Sequence, residues 1–137
     1  FPELARIAVS KGAKILFVPF NTDDRRAYLR VRYCAQARAI ENQVYVVLTG
    51  CVGNLPEVDN LDIHFSQSAI LTPSDVEFSR EAIASEAVPN TETLIYQDLD
   101  LHLLQRNREM GNAQTWNDRK KGFYKLVYEE DGKTIIV

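Results

Sequence analysis

Two short apolar runs, Ile15-Leu16-Phe17-Val18 and Tyr45 to Cys51, bracket a helical stretch from about Arg25 to Asn42. That order constrains the fold more than any other feature of the chain. Two strands joined by a helical crossover of this length are predicted to lie parallel, since a hairpin needs only a short link. A first helix is predicted over Pro2 to Ser10, where Leu4, Ile7 and Ala8 recur at helical spacing. Pro2 suits a first helical position, and Lys11-Gly12 is a stop. The first strand is expected to end at Pro19, and Asn21-Thr22-Asp23-Asp24 supplies polar caps for the long helix. Helix, strand, helix, strand with short links reads as a parallel sheet covered by helices.

The middle of the chain changes character. Strands are predicted at Ser68 to Leu71, Ile83 to Val88 and Thr93 to Leu99, spaced closely enough for an antiparallel meander. A helix from Asp100 to about Met110 follows, then a terminal hairpin of Phe123 to Tyr128 and Thr134 to Val137 around Glu130-Asp131-Gly132. No repeat, low-complexity tract or linker interrupts the chain. The expectation is one compact α/β unit.

With 137 residues, 45% of them hydrophobic, the chain has the length and apolar content of one domain or a piece of one. No apolar run approaches the roughly 20 residues of a membrane helix. The net charge of −3 opposes nucleic-acid binding, and residues 61–100 carry one basic residue against eight acidic ones. That acidic stretch is expected to form solvated turns and sheet edges. The chain opens at Phe1-Pro2-Glu3-Leu4 without an initiator Met or a signal-peptide pattern, as if cut from something longer. On that basis a cytoplasmic setting with reduced thiols is expected.

Catalytic motifs are scarce. His64 and His102 stand outside any recognisable motif and read as structural or surface residues. Ser66-Gln67-Ser68 lacks the Gly-x-Ser-x-Gly elbow, and no Gly-rich phosphate loop precedes a helix. Cys34 and Cys51 have neither metal-ligand nor disulfide spacing and read as buried, inert thiols. Arg25, Arg26, Arg30 and Arg32 read as a solvated helix face. Two places rise above this background. A helix starting at Pro2 directs unsatisfied N–H groups at whatever precedes Phe1, where a thiol would be partly ionised. Phe20-Asn21-Thr22 stands at the carboxyl end of a parallel strand, where open α/β sheets bind ligands. Helix capping is the competing role for Asn21 and Thr22.

These residues carry a family resemblance. Phe1-Pro2-Glu3-Leu4-Ala5-Arg6, then Gly12-Ala13-Lys14-Ile15, resembles the segment after the catalytic cysteine in the nitrilase superfamily of carbon–nitrogen hydrolases. The likeness continues through Arg38-Ala39-Ile40-Glu41-Asn42-Gln43-Val44-Tyr45-Val46, Val52-Gly53, Ser66-Gln67-Ser68-Ala69-Ile70 with Pro73, and Asp98-Leu99-Asp100-Leu101 with Arg106. Asn117-Asp118-Arg119 before Phe123-Tyr124 is similar to the family's closing segment. About residues 1–125 are covered in order, leaving 126–137 as a tail. Lys120-Lys121-Gly122 departs from the commoner Arg- and Asp-containing version.

The resemblance implies an α/β fold, half of a four-layer αββα sandwich, and a Cys-Glu-Lys centre that needs neither metal nor organic cofactor. The cysteine belongs a few residues before Phe1, with the Glu and Lys further upstream. None of the three lies in this chain, and Cys34 and Cys51 match no catalytic position. Phe20, Asn21 and Thr22 match the loop bordering the substrate pocket in related amidases. Glu3 matches the motif's glutamate, read as helix-end support. Arg38 and Glu41 resemble residues that tie the long helix into the fold. The implied partners are a small amide, carbamoyl compound or nitrile as substrate, the N-terminal half of the same domain, and further copies of the chain in a homo-oligomer. An inactive nitrilase-like binding module and a stand-alone α/β ligand-binding domain are the alternatives.

Overall fold

The computed structural model describes residues 1–137. Its elements run α1 (Pro2–Ser10), β1 (Ile15–Phe20), α2 (Arg25–Asn42), β2 (Tyr45–Gly50), β3 (Ala69–Leu71), β4 (Ile83–Glu86), α3 (Leu101–Met110), β5 (Val127–Glu130) and β6 (Lys133–Ile136). The first four strands form one sheet in the order β1-β2-β3-β4, and β5 and β6 form a separate hairpin. β1 and β2 are parallel, with Ile15 beside Tyr45 and Phe20 beside Gly50. β3 and β4 add on antiparallel.

α1 ends where Gly12 takes φ +105°, a conformation open to glycine but strained for other residues, and the chain turns back into β1. Asp24 caps α2, its side chain accepting from the Ala27 N–H at 2.6 Å. The cap is therefore Asp24, not Asn21 or Thr22. Along α2 the buried residues Tyr28, Arg32, Ala35, Ala39 and Asn42 recur at intervals of three and four and make one stripe. Ala35 and Ala39 are small enough for the helix to lie close on the sheet. There they join Val9, Val44, Val46, Leu48, Ala69 and Leu71 in a single core.

That core lies on one side of the sheet only. Leu16, Val18 and Phe20 pack against it from β1, while the alternate residues Phe17 and Pro19 point away and are exposed. Phe17 is 73% exposed beside the half-buried Val47.

Four expectations are corrected. β1 does not stop at Pro19 but runs through it to Phe20. β1 is an edge strand, where a missing N–H breaks no ladder bond. Thr93 to Leu99 forms no strand: no neighbour pairs with it, and Leu94 and Tyr96 are 85% and 84% exposed. Its alternating pattern supplies β propensity without a surface to bury. Cys34 and Cys51 are exposed, not buried. Cys34 is one residue, about 100° of helix, off the α2 stripe, and Cys51 lies past the end of β2. Arg32 leaves the solvated face: it lies on that stripe, is 7% exposed, and pairs with Glu86 at 2.7 Å.

The remaining differences are of length. β3 and β4 are shorter than the predicted runs, and the hairpin pairs only from Leu126, which exchanges backbone hydrogen bonds with Val137. Its two-residue turn, Asp131 at φ 50° and Gly132 at φ 72°, is the form that matches strand twist. No helix is long and apolar enough to cross a membrane.

Candidate active-site wall

The carboxyl ends of β1 and β2 open onto three hollows. The first, about 420 Å³, lies between Asn21, Thr22 and Asp23, the first turns of α2, and Asn60, Asp62 and Ile63. The second, about 300 Å³, runs from Cys51 to Leu55 and reaches His64. The third, about 200 Å³, lies between the end of β2, Ser66 and Thr91 to Thr93.

Backbone geometry fixes the wall that separates them. Phe20 O accepts from the Cys51 N–H at 3.2 Å, holding the two strand ends together. Thr22 is tied twice to Phe65: its hydroxyl donates to Phe65 O at 2.7 Å, and its carbonyl accepts from the Phe65 N–H at 2.7 Å. Ser66 and Asn90 then bond reciprocally. The Ser66 N–H donates to Asn90 Oδ1 and the Asn90 N–H to Ser66 O, both at 2.9 Å. Asn90 makes this possible at φ 53°, a conformation that asparagine tolerates.

The structure brings Asn21 and Thr22 onto one cavity and sets Phe20 beneath them. The Phe20 ring lies 6.2 Å from Tyr28, whose ring lies 5.6 Å from Phe65. It also covers Gly50, where a Cβ would come within 2.4 Å of the ring and 2.5 Å of Ser66 Cβ. Burial pushes the Tyr28 hydroxyl above its ordinary value, against the nearby Arg32 charge, so it remains a donor to Gln67 Oε1 at 3.4 Å. Asn21 differs from its neighbours. It is exposed and its carboxamide makes no hydrogen bond within the chain, leaving two donors and an acceptor for a ligand. Two carboxylates, Asp23 and Asp62, and the Arg30 guanidinium share the cavity.

The other sequence candidates sit elsewhere. Glu3 is exposed in the first turn of α1, where a carboxylate complements the helix dipole. Arg38 and Glu41 form an ion pair three residues apart near the end of α2. At 1.5 Å per residue they are roughly 20–25 Å along the helix from the Asn21 loop. Glu41 O also accepts from Arg6 Nη1 at 3.5 Å, which links α2 to α1. His64, by contrast, lines the second hollow: its ring Nδ1 contacts Gly53 O, its backbone N–H donates to Asn54 Oδ1 at 3.1 Å, it is 8% exposed, and its Nε2 is buried without a partner. No three His, Cys, Asp or Glu side chains gather into a group able to hold a metal ion.

Two parts of the wall escape sequence reading. Asn90 has only the Pro89-Asn90 turn signal, which reads as a strand stop. Gly50 reads as a strand terminator, whereas its role is to leave room for the Phe20 ring.

The profile of the carbon-nitrogen hydrolase family matches residues 1–109. The chain belongs to that family. Among its relatives, a probable hydrolase of Bacillus subtilis, YhcX, is 53% identical over 95% of this chain and 25% of its own length. The omega-amidase NIT3 of Saccharomyces cerevisiae is 30% identical over 80% of the chain and 34% of its own length. N-carbamoylputrescine amidase of Arabidopsis thaliana is 28% identical over 96% and 45%. This carbon–nitrogen hydrolase chain thus spans a quarter to somewhat under half the length of these relatives. Among solved structures, Saccharomyces cerevisiae Nit3, a member of branch 10 of the nitrilase superfamily, superposes with a TM-score of 0.70 at 28% identity. It covers 90% of this chain and 40% of Nit3. The NitFhit protein of C. elegans shares the fold with a TM-score of 0.71 at 22% identity, covering 96% of this chain and 30% of its own. The α/β sandwich expected from the resemblance is therefore the fold of this family chain.

Proposed function

We propose that this chain is the C-terminal portion of a carbon–nitrogen hydrolase domain whose whole protein hydrolyses a small amide or carbamoyl compound, with nitriles as a further substrate class. A cysteine a few residues before Phe1 attacks the carbonyl carbon as its thiolate, with an upstream Glu taking and returning the proton. An upstream Lys stabilises the oxyanion. The C–N bond breaks, ammonia or an amine leaves with that proton, and water cleaves the thioester to release acid and free thiol. The start of α1 favours such a thiolate, because its unsatisfied N–H groups carry partial positive charge. Neither metal nor organic cofactor enters these steps.

The observation that carries the amide reading is the unpartnered Asn21 carboxamide on a cavity at the carboxyl end of β1. It offers one acceptor and two donors, which complement an amide or carbamoyl group. Two amidases among the relatives favour the same class. The exposed Phe17, at the β1 edge of the face opposite the core, supports an N-terminal half as the missing layer there, with further copies of the chain completing a homo-oligomer.

Ammonia release by the intact protein on a panel of small amides, carbamoyl compounds and nitriles tests the proposal. Turnover of one class, abolished by replacing the upstream cysteine with Ala, is the expected result. An Ala, Ser or Gly at the nucleophile position, or no turnover of any class, would overturn it and leave a binding module.

A further inference from the structure

Far from the Asn21 loop, three guanidinium groups surround one indole. The Arg6, Arg108 and Arg119 guanidinium carbons lie 5.2, 4.8 and 3.8 Å from the centre of the Trp116 ring. None of the three belongs to any of the four ion pairs of the chain. Two have a structural task. α2 has no basic residue in its last turn, and its terminal carbonyls are instead capped from other elements. Arg6 donates to Glu41 O, Arg108 to Asn42 O at 2.9 Å, and Thr115 to Ile40 O at 2.7 Å.

That capping leaves positive charge in excess. A helix end carries about half an elementary charge, against several whole cations here. Arg108 Nε is buried with no acceptor. The groups crowd one another. Burial and the Arg108 charge push Lys14 below its ordinary value, burial and Arg119 do so for Arg108, and burial and Arg6 for Arg119.

Of these groups only Arg119 reaches a cavity of about 380 Å³ between the end of α1, Trp116 and the β5–β6 hairpin. Arg119, Lys121 and Lys125 line it, with no acidic side chain among its walls. Arg119 spends one N–H on Trp116 O at 2.7 Å, and Lys121 and Lys125 make no ion pair or side-chain hydrogen bond. Tyr124, Trp116 and Ile136 supply apolar surface. We propose that this cavity is a second binding site, for a small phosphate-bearing molecule.

Three cations match a doubly charged oxyanion better than a single carboxylate, and the guanidinium fork fits its oxygens in pairs. The volume leaves room beside a phosphate for an organic body against Tyr124 and Ile136. A net charge of −3 on the whole chain works against an extended polyanion.

Calorimetry on the intact protein at fixed ionic strength, with inorganic phosphate, phenyl phosphate and acetate, tests this. Phosphate binding should weaken about tenfold or more in a Lys121→Gln, Lys125→Gln double variant, whose exposed side chains are not part of the core. The neighbouring Lys120→Gln, outside the cavity, should bind as the parent does. Tighter binding of phenyl phosphate would assign the site to a phosphate monoester, and equal binding to free phosphate. Absence of binding by both phosphates, acetate binding as tightly as phosphate, or equal loss in Lys120→Gln would overturn the proposal.

Discussion

Gln43 turns out of α2 in a left-handed conformation, φ 48° and ψ 61°, and its carboxamide nitrogen donates to Asn107 Oδ1 at 2.7 Å. The same carboxamide accepts from the Trp116 N–H at 3.1 Å, and Asn107 donates onward to Asp75 Oδ2 at 2.8 Å. A non-glycine residue in this conformation costs roughly 1–2 kcal/mol. The network offsets that cost and joins α2 to α3. Gln43→Ala leaves buried partners unsatisfied and is expected to destabilise the intact protein by about 1–3 kcal/mol in urea unfolding. Gln43→Gly, freed of the backbone strain, should be milder, and Gln43→Ala should be non-additive with Asn107→Ala. Additive losses would show that the two side chains act separately.

Arg32 and Glu86 make the chain's most buried ion pair, joining α2 to the edge strand β4. Arg32 Nη1 is buried with no acceptor, so the pair is incompletely satisfied. Glu86→Gln, which leaves the buried guanidinium without its counter-charge, should cost about 1–2 kcal/mol, since the Glu86 carboxylate itself is exposed to water. Replacing both with Arg32→Met and Glu86→Leu should recover most of that loss. A double variant as unstable as Glu86→Gln would mean that the pair, not the absence of a stranded charge, holds β4.

Asp75 gives the fold an acid dependence. Partial burial raises its carboxyl pKa, but hydrogen bonds from the Val76 N–H, the Asn107 amide and the Ala113 and Asn112 N–H groups outweigh this and hold it below the ordinary value. A group with a depressed folded value stabilises the fold above its unfolded value, about 3.9, and loses that contribution as pH falls through the folded value. Thermal unfolding temperatures should therefore fall below about pH 4. Asp75→Asn should flatten that part of the profile while lowering stability at neutral pH. An unchanged profile would exclude Asp75 as the titrating group.

Much of the fold was legible in local pattern, and the failures share a cause. α1, α2 and α3 declare themselves through spacing and stops, and the parallel β1–β2 pair follows from the length of the crossover between them. Thr93 to Leu99 carried the same strand propensity but pairs with no strand, and propensity cannot report a missing partner. Arg32 was readable in principle, since it falls in step with Tyr28, Ala35 and Ala39; its charge outweighed its position. The candidate wall was located by one rule, that ligands meet the carboxyl ends of parallel strands. Its supports were not legible. Phe65 reaches Thr22 across 43 residues of sequence and Asn90 reaches Ser66 across 24, through bonds that no local pattern records.

Gly50 shows what that wall tolerates. A Cβ at this position would meet the tip of the Phe20 ring and Ser66 Cβ, and the second of these cannot swing aside. Gly50→Ala should cost about 1–3 kcal/mol and displace Phe20, carrying the Asn21-Thr22 loop with it. Wild-type stability together with unchanged loop shifts in NMR spectra would show that Ser66 yields instead.

Asn21 and Thr22 separate binding from architecture. Asn21 bonds nothing within the chain, so Asn21→Ala should leave unfolding unchanged within about 0.5 kcal/mol. If its carboxamide holds the substrate amide, the loss of one such bond, about 1.4 kcal/mol, lowers kcat/KM of the intact protein about tenfold. Thr22→Val has the opposite profile. It removes the donor to Phe65 O and leaves that carbonyl short of a partner, so stability should fall by about 1–2 kcal/mol. Steady-state ammonia release and denaturant unfolding on the two variants decide the matter. An Asn21→Ala enzyme with unaltered kinetics would remove Asn21 from the substrate pocket. A Thr22→Val enzyme as stable as the parent would mean that the backbone bond from Phe65 alone secures the loop.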